Sequence, residues 1–150
     1  MANATFYIVP AEFDSLEKND LYQYVLFLSQ HYVSQGAKLF IHCHDKTEAE
    51  LLGEVFWQQP AQTYVAHNLV GEGPRYGTPV EIGYQGIRPL HNRQIVINIA
   101  EIETTFAQSF AEVIDFVPCE EKAKQLARER YKIYRQNGFT MQAINIEHQP

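Results

Sequence analysis

Cysteine is scarce. Cys43 and Cys119 are the only two in 150 residues, and no C-x-x-C brings thiols to metal or redox spacing. That excludes a disulfide framework and the small secreted scaffolds that depend on one. No run approaches 18 apolar residues, so nothing reads as a membrane-spanning helix. The first residues show neither the basic start nor the apolar run of a secretory leader. The expectation is a cytoplasmic protein with reduced thiols. Positive charge is also in short supply: twelve Lys and Arg face eighteen Asp and Glu, for a net charge of −6. Such a surface does not hold nucleic acid by charge over its whole extent, so any such contact is local or indirect. Internal repeats and low-complexity tracts are absent.

Chemistry-bearing motifs are missing too. The loop Val70-Gly71-Glu72-Gly73-Pro74-Arg75-Tyr76-Gly77 has the glycine spacing of neither a P-loop nor a dinucleotide fingerprint. No Gly-Lys-Ser/Thr follows it, and Pro74 breaks any helix that would receive a phosphate. His42-Cys43-His44-Asp45 closes an apolar strand, where α/β proteins place ligands. Yet His42 and His44 would point to one side and Cys43 to the other. A zinc site there needs ligands from elsewhere, with His67, His91 and Cys119 as candidates. Neither cysteine has a convincing His base with an orienter close in sequence, and no serine sits in G-x-S-x-G. We therefore assign no catalytic residue, metal or cofactor. The competing possibility is a nucleotide- or metal-dependent enzyme built on His42–Asp45 and the Gly71–Gly77 loop.

What is present is patterned. The length suits one domain, residues 1–150, with a core of its own. Ala4–Val9, Lys38–Cys43, Thr63–Ala66, Val80–Tyr84, Gln94–Ile99 and Glu112–Val117 read as strands, with a short terminal strand within Phe139–Ile146. Helical spacing covers Ser15–Gln35, capped by Ser15 and ended at Gly36. A capping box, Thr47 to Glu50, starts a helix that runs to Trp57. A short helix is expected over Phe106–Ala111, and Gly86–Arg93 reads as an exposed turn. Alternation of strands and helices predicts a three-layer α/β/α sandwich around a mostly parallel sheet.

The most distinctive stretch is the helix predicted over Pro118–Gly138. Six basic residues and one acidic residue give Lys122–Arg135 a charge of +5, while the rest, six basic against seventeen acidic, sums to −11. Leu126, Ile133, Ala123, Tyr134, Ala127 and Tyr131 share a broad face; Lys124, Arg128, Lys132 and Arg135 form a stripe opposite. Most such stripes are solvated faces. This one has a single sign, lacks i, i+4 Glu partners within Lys122–Arg135, and stands out from an acidic protein. With Tyr131 at its border, it suits an acidic ligand with an apolar end. Arg130 falls on the apolar face and must either snorkel out or meet a buried carboxylate. A second feature is the group Trp57, Pro60, Tyr64 and Val65, which is either core or an exposed aromatic patch of the kind that anchors a protein partner.

Taken together, these pieces resemble a known family. They are Asn3-Ala4-Thr5-Phe6-Tyr7, Trp57-x-x-Pro60-Ala61, the segment His67-Asn68-Leu69 through Ile82, Glu112 to Pro118, and Lys124 to Arg135 followed by Gly138-Phe139. In order and spacing they are similar to the chi subunits of bacterial DNA polymerase III holoenzyme, which belong to the clamp-loader assembly. Residues 10–35 and 84–93 carry no distinctive match. The resemblance implies a non-enzymatic, Rossmann-like adaptor that pairs with the psi subunit. At a separate surface it would hold the acidic C-terminal tail of single-stranded DNA-binding protein, whose last residue is aromatic and carries the free carboxylate. By resemblance and chemistry together, Arg128 and Lys132 take the carboxylates and Lys124 supports them. Tyr131 and Val117 would wall the apolar end. Trp57, Pro60 and Tyr64 are assigned to psi. Direct single-stranded DNA binding by the stripe is poorly supported, since only Tyr131 is placed for stacking.

Overall fold

The computed structural model describes residues 2–10, 19–62, 64–74, 77–89, 93–101 and 110–146. The chain order is β1 (Asn3–Ile8), α1 (Asn19–Ser34), β2 (Leu39–Cys43), α2 (Lys46–Trp57), β3 (His67–Leu69), β4 (Val80–Tyr84), β5 (Ile95–Asn98), β6 (Glu112–Val117), α3 (Glu121–Gln136) and β7 (Thr140–Asn145). The strands form one seven-stranded sheet in the order β3-β4-β2-β5-β6-β1-β7. Every neighbouring pair is parallel.

Period-two alternation sends successive side chains to opposite faces. Leu39, Ile41, Val80, Ile82, Ile95, Ile97, Ile114 and Phe116 join a core with α1 and α2. Ala4, Phe6, Phe40, Val96 and Val113 join a second core with Tyr134 of α3. The sheet is thus sandwiched, with α1 and α2 on one face and α3 on the other. Gly83 is explained by this packing: a Cβ there would lie 2.6 Å from the buried Phe40 ring. The β4 strand is therefore real despite its glycine.

Both long helices that precede a strand end in the same way. Gly36 has φ +88°, with Gly36 N donating to Val33 O and Ala37 N to Tyr32 O. Gly138 has φ +92°, with Gly138 N donating to Arg135 O and Phe139 N to Tyr134 O. This is the Schellman arrangement, in which a left-handed glycine satisfies the last carbonyls and turns the chain back toward the sheet.

Several expectations change. The strand expected at Thr63–Ala66 is not formed by the described residues Tyr64–Ala66; pairing with β4 begins at His67 instead. Tyr64 and Val65 use their side chains against the end of α2, outside the ladder. Helix α2 is capped by Asp45, whose Oδ1 accepts from Glu48 N at 2.8 Å, and Glu48 reaches back to His44 N at 2.8 Å. The box thus sits two residues earlier than Thr47, because Asp caps as well as Thr. Arg93, read as part of an exposed turn, is buried: its Nε lies 2.8 Å from Glu81 Oε1. Glu81 is on a central strand, and a buried carboxylate requires a partner. The Ser15 cap and most of the helix expected over Phe106–Ala111 lie outside the described residues. Its last two, Phe110 and Ala111, are not helical.

Candidate functional site

Helix α3 is held by polar contacts as much as by apolar ones. Glu120 caps it, accepting from Ala123 N at 2.7 Å. Ala123, Ala127, Arg130 and Tyr134 form its buried face. Arg130 is thereby placed at the centre of the interface, gripping Asp115 of β6 with Nε at 2.9 Å and Nη2 at 3.0 Å. It also donates to the carbonyls of Glu101 and Phe116. Asp115 further accepts from Tyr134 Oη at 2.9 Å and Asn98 Nδ2 at 3.1 Å. Burial alone would lower the Arg130 pKa, but Asp115, with Tyr134 and Glu101 adding to it, makes the net shift upward. Burial, then Asp115, pushes the Tyr134 hydroxyl well above the ordinary tyrosine range.

This anchor sets the rotation of the helix and corrects the expected face. The buried arc runs through Ala127, Arg130 and Tyr134, whereas Leu126 is half-buried and Ile133 is 37% exposed. A bidentate buried ion pair, not the greatest apolar moment, decides which side meets the sheet. Tyr131 lies between that arc and the cations, with its ring 5.3 Å from Phe6. Val117, at the end of β6, rests against the same core cluster as Tyr131. Both are partly exposed. Lys124 is half-buried and Arg128 exposed, and among the described residues neither forms an ion pair. Lys132 is exposed and lies 3.8 Å from Glu129 Oε1, an i, i+3 contact. A solvated pair of this kind contributes little and yields readily to a better anion. The assigned apolar pair thus shares one cluster, with the three cations spaced along the flank of the adjoining helix.

The second patch lies at the far edge of the sheet. Trp57 is 65% exposed at the end of α2, so it is surface rather than core. Its ring lies 5.5 Å from Tyr64 and 5.3 Å from His67. Pro60 is exposed and Tyr64 half-buried. Between α2 and β3 a cleft of about 350 Å³ opens beside Trp57, lined by Glu50, Glu54, Glu72, His67, Asn68 and their neighbours. This cleft was not anticipated. The signal for its wall was the spacing of Glu50, Glu54 and Trp57, which is i, i+4, i+7 on one helical side.

The strand-end residues separate. His42 and Cys43 are buried, His44 is exposed, and Asp45 caps α2. Among the described residues no three His, Cys, Asp or Glu side chains stand together as metal ligands do. The glycine loop is organised by Asn68. Its Oδ1 accepts from Thr78 Oγ1 at 2.6 Å, and a Cβ on Gly73 would collide with its amide at 2.3 Å. Asn68 thus accounts for one of the loop's glycines. Arg75 and Tyr76 lie outside the described residues.

No described helix is long and apolar enough to cross a membrane. The fold is similar to that in the crystal structure of T4 UvsW, with a TM-score of 0.62 over 96% of this chain and 41% of that one; at 11% identity this is a likeness of fold alone. The chain is 42% identical to DNA polymerase III subunit chi of Escherichia coli (strain K12), over 94% of this chain and 96% of that protein. Identity to the subunit of the same name is 39% in Haemophilus influenzae, over 74% of this chain and 77% of that protein. In Pseudomonas aeruginosa it is 26%, over 95% of each. The family model described as "DNA polymerase III chi subunit, HolC" matches residues 1–142. With a family match that spans residues 1–142 and 42% identity over 94% of its length, this chain belongs to the DNA polymerase III chi subunit family.

Proposed function

We propose that this replication subunit is a non-catalytic adaptor. One surface, α3 with the end of β6, takes the acidic C-terminal tail of single-stranded DNA-binding protein; the other, around Trp57, takes the psi subunit. The observation that carries the first assignment is the pairing of free cations with a half-open apolar floor. Among the described residues Arg128 and Lys124 form no ion pair, and Tyr131 and Val117 leave apolar surface beside them. A tail ending in an aromatic residue presents a ring and a carboxylate that match this floor and rim. Arg128 and Lys132 hold the carboxylates, Lys124 supports, and Tyr131 with Val117 walls the ring. Trp57, Pro60 and Tyr64 form the psi contact.

The test is a titration with a fluorescent acidic peptide ending in a free Phe. Arg128→Ala weakens binding about tenfold, as expected for one partly solvated charge-assisted contact. Amidating the peptide's C-terminus costs about as much, and added salt weakens the wild-type complex. Equal affinity of the folded mutant and the wild type would return the stripe to an ordinary solvated face.

A further inference from the structure

We propose that the cleft between α2 and β3 receives an arginine side chain of the protein that docks on Trp57. This rests on the reading of that patch as the psi contact and adds the chemistry of the group it takes. Glu50, Glu54 and Glu72 line the cleft, with no basic residue among them. Among the described residues none of the three forms an ion pair. Glu50 and Glu54 repel each other at i, i+4, a small cost to the helix that a cation between them would remove.

The other polar groups of the lining point the same way. Both ends of the Asn68 amide are engaged, Oδ1 by Thr78 and Nδ2 by donation to Leu69 O at 2.6 Å. His67 is 8% exposed, and its Nδ1 lies 3.0 Å from Val65 O. A carbonyl can only accept, so Nδ1 carries a proton and donates to it. That Nε2 is buried and has no hydrogen-bond partner among the described residues. The acceptor side chains that the cleft offers are therefore the three carboxylates. Three carboxylates call for a cationic donor, which limits the choice to the ends of Lys and Arg. The exposed indole at the mouth favours the planar guanidinium, which stacks on aromatic faces while forking to carboxylates. Nucleic acid and acidic peptides are repelled. The two surfaces of the subunit thus select partners of opposite charge.

The test measures the affinity of the purified psi subunit, by calorimetry at low and moderate salt, for wild type, Trp57→Ala and the double variant Glu50→Gln/Glu54→Gln. Thermal melting of each variant shows that it is folded. The inference expects Trp57→Ala to abolish binding and the double Gln variant to weaken it about tenfold or more, with a flatter salt dependence. If Trp57→Ala abolishes binding and the double Gln variant binds like wild type at both salts, the docking reading stands and the arginine cleft is overturned. Wild-type binding by Trp57→Ala would overturn both.

Discussion

Removing the Asp115 carboxylate should cost this fold more than removing any single exposed charge. In Asp115→Ala five hydrogen bonds are lost, from Arg130 Nε and Nη2, Tyr134 Oη, Asn98 Nδ2 and Phe116 N. The Arg130 side chain is 5% exposed, so its charge is left in the interface without a counter-ion. An uncompensated buried partner of this kind costs about 3–5 kcal/mol. For a domain of this length that corresponds to a fall in Tm of roughly 6–20 °C. Arg130→Met should cost less, because Asp115 keeps its donors from Tyr134, Asn98 and Phe116. In the double variant the orphan cation is gone, so the combined loss falls well short of the sum. Urea unfolding of the four proteins closes the cycle. A loss under about 1 kcal/mol in Asp115→Ala, with an unchanged m-value, would refute the claim that this pair anchors α3.

Three further outcomes follow from the same geometry. Gly83→Ala should lose about 1–3 kcal/mol in urea unfolding, since its methyl would meet the Phe40 ring, itself stacked 6.0 Å from Phe110. Gly53→Ala should gain about 0.5–1 kcal/mol, because a helix interior disfavours Gly and the added Cβ meets Leu69 Cδ1 only at an ordinary 3.5 Å. Burial, and next Glu112, pushes the Tyr32 hydroxyl from its ordinary value of 10.0 up to about 12. The folded state therefore holds its phenolic proton longer than the unfolded chain, so this contribution is intact below pH 10 and is lost as pH rises toward 12. Denaturant midpoints across that window should fall in wild type and fall less in Tyr32→Phe.

The strands were legible where one property was enough to specify them. Leu39–Cys43 and Ile95–Asn98 are buried along their whole length, and a parallel sheet covered on both faces favours such continuous runs. Helix ends were legible where glycine carried them, at Gly36 and Gly138. Pairings across the fold were not. Arg130 looked misplaced because its partner lies fifteen positions earlier on another element, and Arg93 looked exposed for the same reason. The strand at His67–Leu69 depends on hydrogen bonds to β4, which three residues of sequence cannot announce. On α3, the cations and Tyr131 were readable from helical spacing. That Val117 rests on the same core cluster required the sheet. The acidic cleft was hidden because it exists only once the loop after α2 brings His67 beside Trp57.

The order of the strands has a mechanical consequence. Helix α2 covers β3, β4 and β2 on one face; α3 covers β6 and β7 on the other. The two helices are therefore offset by about four strand spacings, on the order of 20 Å across the sheet, as well as by its thickness. Among the described residues, what lies between them is hydrogen-bonded ladder and side chains of two cores. Such a body behaves as a rigid strut. If both proposed surfaces are occupied, load applied at one edge should reach the other without changing the shape of the far site, and each occupant should hold with the same strength whether or not the other is there. By linkage, the ratio of affinities for one partner with and without the second should be close to one. The molecule would then couple its partners by tethering alone, raising the concentration of one near the other through distance rather than through conformational change.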